Sequence, residues 1–233
     1  MTPGTLYVVA TPIGNLEDIT LRALRILKEV DLVACEDTRR TRGLLSHYDV
    51  HVPVTSYFEH NKLRKGETVL RALRDGRSVA LVTDAGTPGI SDPGVLLVRQ
   101  ARAEGLPVVP IPGPSAVVAA LSAAGLPADG FVFDGFLPVK PGRRLHRLEA
   151  LRDLERTVVC YESPHRLLAT LEAIGQVFGD TQVVVAREMT KQFEEMVQGT
   201  SRALRERFGA RPVRGEITLV IPPVKARPAP DPA

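Results

Sequence analysis

Residues 78–94 read Ser-Val-Ala-Leu-Val-Thr-Asp-Ala-Gly-Thr-Pro-Gly-Ile-Ser-Asp-Pro-Gly. The first six are mostly apolar, which predicts a strand buried on both faces of a parallel sheet. The segment from Asp84 to Gly94 holds three glycines and two prolines. Glycine lets the backbone approach a ligand, and proline fixes a loop. Because open α/β sheets bind ligands beyond the carboxyl ends of their strands, we expect a ligand-binding loop here, and therefore an enzyme.

The same alternation of strand and helix continues on both sides of this segment. Thr20 is placed to cap a helix, and Leu63, Val69, Leu70 and Leu73 are predicted to face inward from another. The alternation predicts a parallel sheet with right-handed crossovers. The predicted strands are 5–10, 31–35, 52–55, 78–83 and 107–110, and the predicted helices are 20–30, 38–47, 62–74 and 94–104.

The second half of the chain is less regular. A helix is predicted over about 115–124, and Ser163 with Pro164 predicts the start of another. Strands are predicted over 130–134, 157–161 and 182–186, with an edge strand at 193–197 and a last strand, 216–221, closing the sheet. Several of these could pair antiparallel. The fold class is therefore two α/β domains, an N-terminal one with a mostly parallel sheet (1–113) and a C-terminal one with a mixed sheet (114–224), followed by a disordered Pro-rich tail (225–233).

Composition limits the class of protein. The 233 residues are 44% hydrophobic and 24% charged, which is enough for one or two real cores and argues against global disorder. Cys35 and Cys160 lie in apolar runs, which predicts buried, reduced thiols. The most apolar segment, 106–126, is cut by four prolines, so no run approaches the ~20 residues of a membrane span. We expect a cytoplasmic protein without a membrane partner.

Several enzyme classes can be set aside. The chain has no G-x-G-x-x-G and no G-x-x-x-x-G-K-[ST], so neither a Rossmann fingerprint nor a Walker-type phosphate loop is present. Pro114-Ser115-Ala116 is not a G-x-S-x-G nucleophile elbow. The five histidines and two cysteines have no metal-ligand spacing, so no metal is expected.

Other loops follow predicted strands at the same edge as 84–94. Residues 11–15 follow the first strand, and residues 111–115 follow the fifth. Ordinary turn chemistry explains any one of them about as well, but three at one edge favour a shared cleft. Residues 36–39, Glu-Asp-Thr-Arg, follow the second strand. They either complement a helix dipole or orient a substrate, and composition does not decide between the two.

Basic residues are locally concentrated although the net charge is only +3. Such runs are usually solvated helix faces, but an uneven surface is also what a phosphate backbone needs. The three sets are Arg39, Arg40 and Arg42; then Lys140, Arg143, Arg144, His146, Arg147 and Arg152; then Arg202, Arg205, Arg207, Arg211 and Arg214.

An ordered set of motifs over residues 5–221 resembles the RNA-methylating branch of the tetrapyrrole methylase superfamily. The main motifs show no departure, only mild variation such as Met189. The motifs are Thr11-Pro-Ile-Gly-Asn-Leu16, Glu36-Asp-Thr-Arg39, the 84–94 loop, Pro112-Gly-Pro-Ser-Ala116, Gly135-Phe-Leu-Pro138, Tyr161-Glu-Ser-Pro-His-Arg166, Arg187-Glu-Met-Thr-Lys191 and Gly215-Glu216.

This resemblance implies S-adenosyl-L-methionine as the methyl donor, bound in a cleft between the two domains. It implies the ribose 2′-hydroxyl of a cytidine in the decoding region of 16S ribosomal RNA, within the 30S small subunit, as the acceptor. It also implies a homodimer. The implied cofactor-binding residues are Pro12, Ile13, Gly14, Asp84, Gly86, Gly89, Gly113, Ser115, Ala116, Tyr161, Glu162, Ala186, Arg187 and Gly215.

A base near the 2′-hydroxyl would assist methyl transfer. The candidates are Glu36, Asp37, Asp84, Glu188 and Lys191; salt-bridging alone is a competing role for each. Asp84, Lys191 and Glu188 form the predicted catalytic set, in which Asp84 positions the donor. Lys191 must be neutral to act as a base, through burial or a neighbouring cation such as Arg187. Contacts with RNA are predicted for Arg39, Arg42, Lys140, Arg143, Arg144 and Arg166.

Two rival functions stay open at this point. One is a sister methyltransferase of the same fold that acts on a tetrapyrrole or a protein. The other is a non-catalytic ribosome assembly factor that keeps the cleft as a relic.

Overall fold

The computed structural model describes residues 2–224, so the predicted tail over 225–233 lies outside them. The chain divides into two compact units between Ser115 and Ala116. The sequence predicts the domain boundary two residues earlier, between 113 and 114. Each unit is built on a five-stranded sheet.

The first unit contains the parallel sheet that the alternating pattern predicts. Its strands are ordered β3-β2-β4-β1-β5, and every neighbouring pair is parallel. Leu6 pairs with Val79 on one side and with Val108 on the other, which fixes the register of the three strands. The strands are β1 (Leu6–Val9), β2 (Leu32–Cys35), β3 (Val54–Ser56), β4 (Val79–Leu81) and β5 (Val108–Ile111).

Helices cover both faces of this sheet. The hydroxyl of Thr20 caps the first helix by accepting the N–H of Ala23 at 3.1 Å. Alternate strand residues point to opposite faces, so Val9 packs with the first two helices and Leu6 with the next two. The helices are α1 (Leu21–Glu29), α2 (Thr38–His47), α3 (Lys62–Arg74) and α4 (Val95–Ala103).

Strands β1 and β4 are neighbours, yet the helices that follow them cover opposite faces of the sheet. The chain therefore leaves the two carboxyl ends in opposite directions. This is the topological switch point, where an open α/β sheet has a crevice for a ligand.

The second unit has the predicted mixed sheet, in the order β6-β7-β10-β8-β9. The β6–β7 pair is parallel and the other pairs are antiparallel. Helices α6 (Pro141–Arg152), α7 (Leu167–Phe178) and α8 (Ser201–Gly209) cover one face, and α5 (Ala116–Ala123) packs on the other. The strands are β6 (Phe131–Phe136), β7 (Thr157–Glu162), β8 (Gln182–Arg187), β9 (Glu195–Thr200) and β10 (Ile217–Ile221).

Two predictions about helices are wrong. Leu63 is 71% exposed rather than inward, because six residues at about 100° each place it about 120° around the helix from Val69. Helix α7 begins at Leu167, and Ser163-Pro164 belongs to a turn before it. The carboxylate of Glu162 accepts the N–H of Ser163 at 2.7 Å, so this segment folds around a side chain rather than into a helix.

Two strand predictions concern position in the sheet. The predicted edge strand is confirmed as β9, shifted to 195–200. Strand β10 lies in the middle of the sheet, between β7 and β8, rather than closing it.

The two cysteines are free thiols, as predicted. Cys35 and Cys160 are buried and form no disulfide. Over residues 2–224, no helix is both long enough and apolar enough to cross a bilayer.

Candidate active site

The loops after β1 and β4 are joined by backbone hydrogen bonds at the switch point. The N–H of Thr11 donates to the carbonyl of Gly86 at 2.9 Å, and the N–H of Gly86 donates to that of Thr11 at 3.0 Å. The buried Thr11 hydroxyl also donates to the carbonyl of Thr83 at 3.0 Å. These hydrogen bonds fix the loop after β1 against the loop after β4.

The loop after β5 joins the same assembly. A Cβ placed on Gly86 would lie 3.6 Å from Ile13 Cγ2 and 3.9 Å from the carbonyl oxygen of Pro114, so the three loops meet around this glycine. A Cβ on Gly113 would lie 2.9 Å from the Cβ of Ala10, which leaves no room for a side chain there. Gly86 has a φ of +85°, a conformation that disfavours other residues. The structure thus brings together the Gly/Pro loops that the sequence predicts at one edge.

Carboxylates from two strand ends also meet at this edge. Asp84, after β4, accepts the N–H of Asp37, after β2, at 3.2 Å. Its other oxygen lies 3.3 Å from Arg40 Nη1. Asp37 caps α2 by accepting the N–H of Arg39 at 2.8 Å, and hydrogen bonds from Arg39 lower the pKa of Asp37 to about 2. The Glu36–Arg39 segment therefore caps a helix and also contacts the candidate site.

Two further carboxyls in this cluster ionise less readily than usual. Burial and the charge of Asp84 raise the pKa of Glu36. Burial, followed by the charges of Glu36 and Asp84, raises the pKa of Asp92 to about 6. Asp92 lies within the 84–94 loop but is not among the site residues predicted from the sequence. A signal was available, because Asp92 is the second carboxyl of a loop that already contains Asp84.

In the second unit, Glu162 is buried inside its own network of hydrogen bonds. Oε1 forms an ion pair with Arg166 at 2.5 Å, and Oε2 accepts the hydroxyl of Thr170 at 2.5 Å. Arg166 also donates to the carbonyl of Leu137 at 3.2 Å. Both side chains thus hold the end of β7 against the start of α7. Their polar groups are engaged in these contacts, so Arg166 has few groups left to bind RNA and Glu162 few to bind a cofactor.

The Arg187–Lys191 segment forms a second network of ion pairs. Lys191 Nζ lies 2.9 Å from Glu188 Oε1 and 2.9 Å from Glu216 Oε2. Glu188 has a φ of +51°, and a Cβ on Gly215 would lie 2.4 Å from its carboxyl carbon, so only glycine leaves room for this carboxylate. Arg187 is paired with Glu195 at 2.6 Å, and Ala186 is buried in β8.

These contacts decide the charge of Lys191. Burial alone would lower the pKa of Lys191, but hydrogen bonds to Glu188 and Glu216 outweigh it and raise the pKa above the usual value. The N–H of Glu216 and the ammonium of Lys191 lower the pKa of Glu188. Lys191 is therefore a cation and Glu188 an anion, so the neutral lysine that a base requires is absent here.

The predicted RNA-binding residues differ in their exposure to solvent. Arg42, Lys140 and Arg143 are exposed, and Arg39 is exposed beside Asp37. Arg144 is only 6% exposed on α6, which does not fit a contact with phosphate in this conformation. Among residues 2–224, no three His, Cys, Asp or Glu side chains lie close enough to hold a metal ion.

Comparison with known proteins defines the class first. The family model of the tetrapyrrole (corrin/porphyrin) methylases matches residues 5–205. A solved cobalt precorrin-4 methyltransferase has a TM-score of 0.71 at 21% identity, covering 94% of both chains. Uroporphyrin-III C-methyltransferase from Thermus thermophilus, complexed with S-adenyl homocysteine, has a TM-score of 0.66 at 20% identity and covers 94% of this chain and 97% of that one. The chain belongs to the tetrapyrrole (corrin/porphyrin) methylase family and has its fold.

Sequence relatives define the particular branch. Ribosomal RNA small subunit methyltransferase I of Mesorhizobium japonicum is 52% identical over 95% of this chain and 76% of its own length. The protein of the same name from Pseudomonas aeruginosa is 54% identical over 83% of this chain and 69% of its own length. The chain belongs to the ribosomal RNA small subunit methyltransferase I family.

The raised pKa of Asp92 predicts a pH-dependent loss of stability. Because the pKa of about 6 in the folded protein exceeds the ordinary 3.8, the stabilising contribution is complete below about pH 4 and is lost as the pH rises through 6. At pH 7.5, the free energy of unfolding measured in urea should therefore be about 1–2 kcal/mol higher for Asp92→Asn than for the wild type. At pH 4 the two free energies of unfolding should be nearly equal. Asp129→Asn, at an exposed position, is the control. The assignment fails if the difference between Asp92→Asn and the wild type is the same at both pH values.

Proposed function

We propose that this protein transfers a methyl group from S-adenosyl-L-methionine to the ribose 2′-hydroxyl of a cytidine in the decoding region of 16S ribosomal RNA. Family membership supports a methyltransferase acting on small-subunit ribosomal RNA, since relatives about half identical carry that name. The nucleoside and the position on it extend the proposal beyond those names. A homodimer, a cytoplasmic location and the need for an assembled 30S subunit stay predictions.

The observation that carries the cofactor proposal is the acid-rich edge at the switch point. Glu36, Asp84 and Asp92 lie close together next to the loops that meet at Gly86, and burial, followed by neighbouring carboxylate charge, raises the pKa of Glu36 and of Asp92. Arg39 and Arg40 offset the charges of Asp37 and Asp84. Glu36 and Asp92 are then the acids that would attract a ligand with an ammonium and a sulfonium group. The Thermus thermophilus neighbour complexed with S-adenyl homocysteine supports the same choice. The donor supplies a methyl group on a positively charged sulfur.

Backbone groups of the three loops would hold this donor. Asp84 fits as a positioning residue, because its two oxygens are fixed by Asp37 and Arg40. Glu162 would act through the turn that it holds rather than by direct contact. The proposed donor contacts of the first unit are Pro12, Ile13, Gly14, Gly86, Gly89, Gly113 and Ser115; those of Ala116, Tyr161, Ala186, Arg187 and Gly215 stay predictions.

Positioning should supply most of the catalysis, because displacement at a sulfonium has a good, neutral leaving group. Lys191 is already protonated, so we assign it the role of a fixed cation near the acceptor, held in place by Glu188. The proton of the 2′-hydroxyl then leaves to a carboxylate or to water. This replaces the role of base that the sequence left open for Lys191.

Of the two rivals, the sister methyltransferase is less well supported. The solved tetrapyrrole enzymes are about 20% identical to this chain, whereas the relatives named for ribosomal RNA are about 50% identical. A non-catalytic assembly factor would not need an intact cofactor edge, so titration with S-adenosyl-L-methionine separates it from an enzyme.

The direct test is methylation of purified 30S subunits with isotopically labelled donor, followed by mapping of the modified nucleotide. We expect one labelled cytidine in the decoding region, resistant to alkaline cleavage on its 3′ side. Label on a base, on a protein or on no component would contradict the proposal. Subunits that already carry the modification are the control and should accept no label.

The charge of Lys191 gives a second prediction. Lys191→Arg keeps a cation and should retain the single-turnover rate within about threefold, whereas Lys191→Met should lose roughly 10²-fold, the scale of one preorganised electrostatic contact. The affinity for the donor should stay unchanged in both. A lysine acting as a base predicts the opposite for Lys191→Arg, which would then be as slow as Lys191→Met.

The exposed cations give a third prediction. Lys140→Glu combined with Arg143→Glu should weaken binding to 30S subunits and reduce its dependence on salt, because fewer counterions are released from the RNA. Arg99→Glu with Arg102→Glu changes the net charge equally on exposed positions of α4 and is the matched control. Equal weakening by the two pairs in a sedimentation assay would show a general charge effect instead of a contact.

A further inference from the structure

Strand β6 contains an irregularity where it runs beside β7. Phe133 pairs with Val159 and Phe136 pairs with Tyr161, so three steps along β6 match two steps along β7. The extra residue makes a bulge at Asp134-Gly135, and Gly135 takes a φ of +62°. Bulges re-aim side chains and often lie beside functional sites.

The bulge determines which face Phe136 occupies. Residues three apart on a regular strand point to opposite faces. Here Phe133 and Phe136 both contact the ring of Tyr161, with ring centroids 4.9 Å and 5.6 Å away. Phe136 is nonetheless 59% exposed. The ring of Phe136 therefore packs against the ring of Tyr161 while much of its own surface stays exposed to solvent.

Positive charge lies next to this aromatic pair in the sequence. Helix α6 begins five residues after Phe136, with Lys140 as its N-cap and Arg143 in its first turn. No acid lies in that first turn, and no side chain caps it. Within residues 2–224, neither Lys140 nor Arg143 has a carboxylate at ion-pair distance, whereas Arg147 is paired with Asp134 in the bulge. An exposed ring followed within seven residues by two exposed cations fits the base and phosphate of a nucleotide.

We propose that Phe136, backed by Tyr161, is a stacking platform for an unpaired base of the ribosomal RNA, with Lys140 and Arg143 beside its phosphate. The inference rests on the proposed function. It adds the part of the protein that binds the RNA strand carrying the acceptor nucleotide. Lys140 and Arg143 favour RNA over the two alternative occupants of the platform, the methyl donor and an apolar protein surface. The donor is itself positively charged, and an apolar protein surface would leave Lys140 and Arg143 without partners.

Four variants test this platform. Phe136→Trp keeps a flat ring, Phe136→Leu keeps apolar surface without a ring, and Phe136→Ala removes both. Leu154→Ala, an exposed residue beyond the other end of α6, is the control. For each variant we would measure KM and kcat for methylation of 30S subunits, the affinity for S-adenosyl-L-methionine by calorimetry, and the thermal unfolding midpoint.

Loss of one base–aromatic stack should raise KM for 30S subunits by roughly 5- to 100-fold in Phe136→Leu and Phe136→Ala. Phe136→Trp and Leu154→Ala should stay within about threefold of the wild type, and donor affinity should be unchanged in all four. A Phe136→Leu enzyme with wild-type KM would overturn the stacking role. If the wild-type protein methylates no 30S subunit, the proposed function fails; if it does and KM is unchanged in Phe136→Ala, only the platform fails.

A fluorescence measurement separates the occupants. The chain contains no tryptophan, so Phe136→Trp provides a single reporter at this position. Because the proposed platform uses Tyr161 as a support for Phe136 instead of as a donor contact, addition of S-adenosyl-L-methionine alone should leave the emission unchanged. Quenching by the donor alone would assign the platform to the cofactor and overturn the inference. A concentration-dependent blue shift without any ligand would assign it to a second copy of the chain, with the same consequence.

Discussion

The paired hydrogen bonds between Thr11 and Gly86 are the constraint on which the first unit's candidate site depends. Strands β1 and β4 are neighbours, but the helices that follow them lie on opposite faces of the sheet, so their loops would otherwise separate. The two bonds close the loops over the sheet edge. Asp84, two residues before Gly86, is thereby placed where it accepts the N–H of Asp37 from the end of β2. One pair of backbone contacts thus positions groups from three strand ends.

Local sequence patterns predicted many of the helices and strands, because apolar spacing and capping residues determine where these elements begin and end. Helices α2 and α3 begin and end at the predicted residues, since apolar spacing defines both and an Asp caps α2. The predicted start of α7 was wrong because Ser163-Pro164 is only a local signal for a helix start. In the structure, the buried Glu162 carboxylate holds this segment as a turn through its contacts with Arg166 and Thr170. The central position of β10 is likewise set by pairing with strands far away in the sequence.

Ionisation states in the candidate site lay beyond sequence reasoning for the same physical reason. A pKa depends on burial and on charges within a few ångströms, and neither follows from position in the chain. Lys191 was a candidate base until its contacts with Glu188 and Glu216 were known, and these contacts keep it charged. Asp92 lies inside the 84–94 loop and was not predicted as a site residue, although burial and the charges of Glu36 and Asp84 raise its pKa to about 6. Residue types could be predicted, but their protonation could not.

The net charge of +3 conceals a division of charge that suits two unlike substrates. The carboxyl groups of Glu36, Asp84 and Asp92 lie together at the switch point of the first unit, where they would favour the proposed cationic donor. Exposed cations at the start of α6 favour phosphate and would disfavour that donor. Under the proposed function, the donor and the RNA would therefore be attracted to different parts of the chain before any specific contact is made. An excess of either sign over the whole surface would attract one of them to both places, whereas a net charge of +3 is consistent with two opposite local fields.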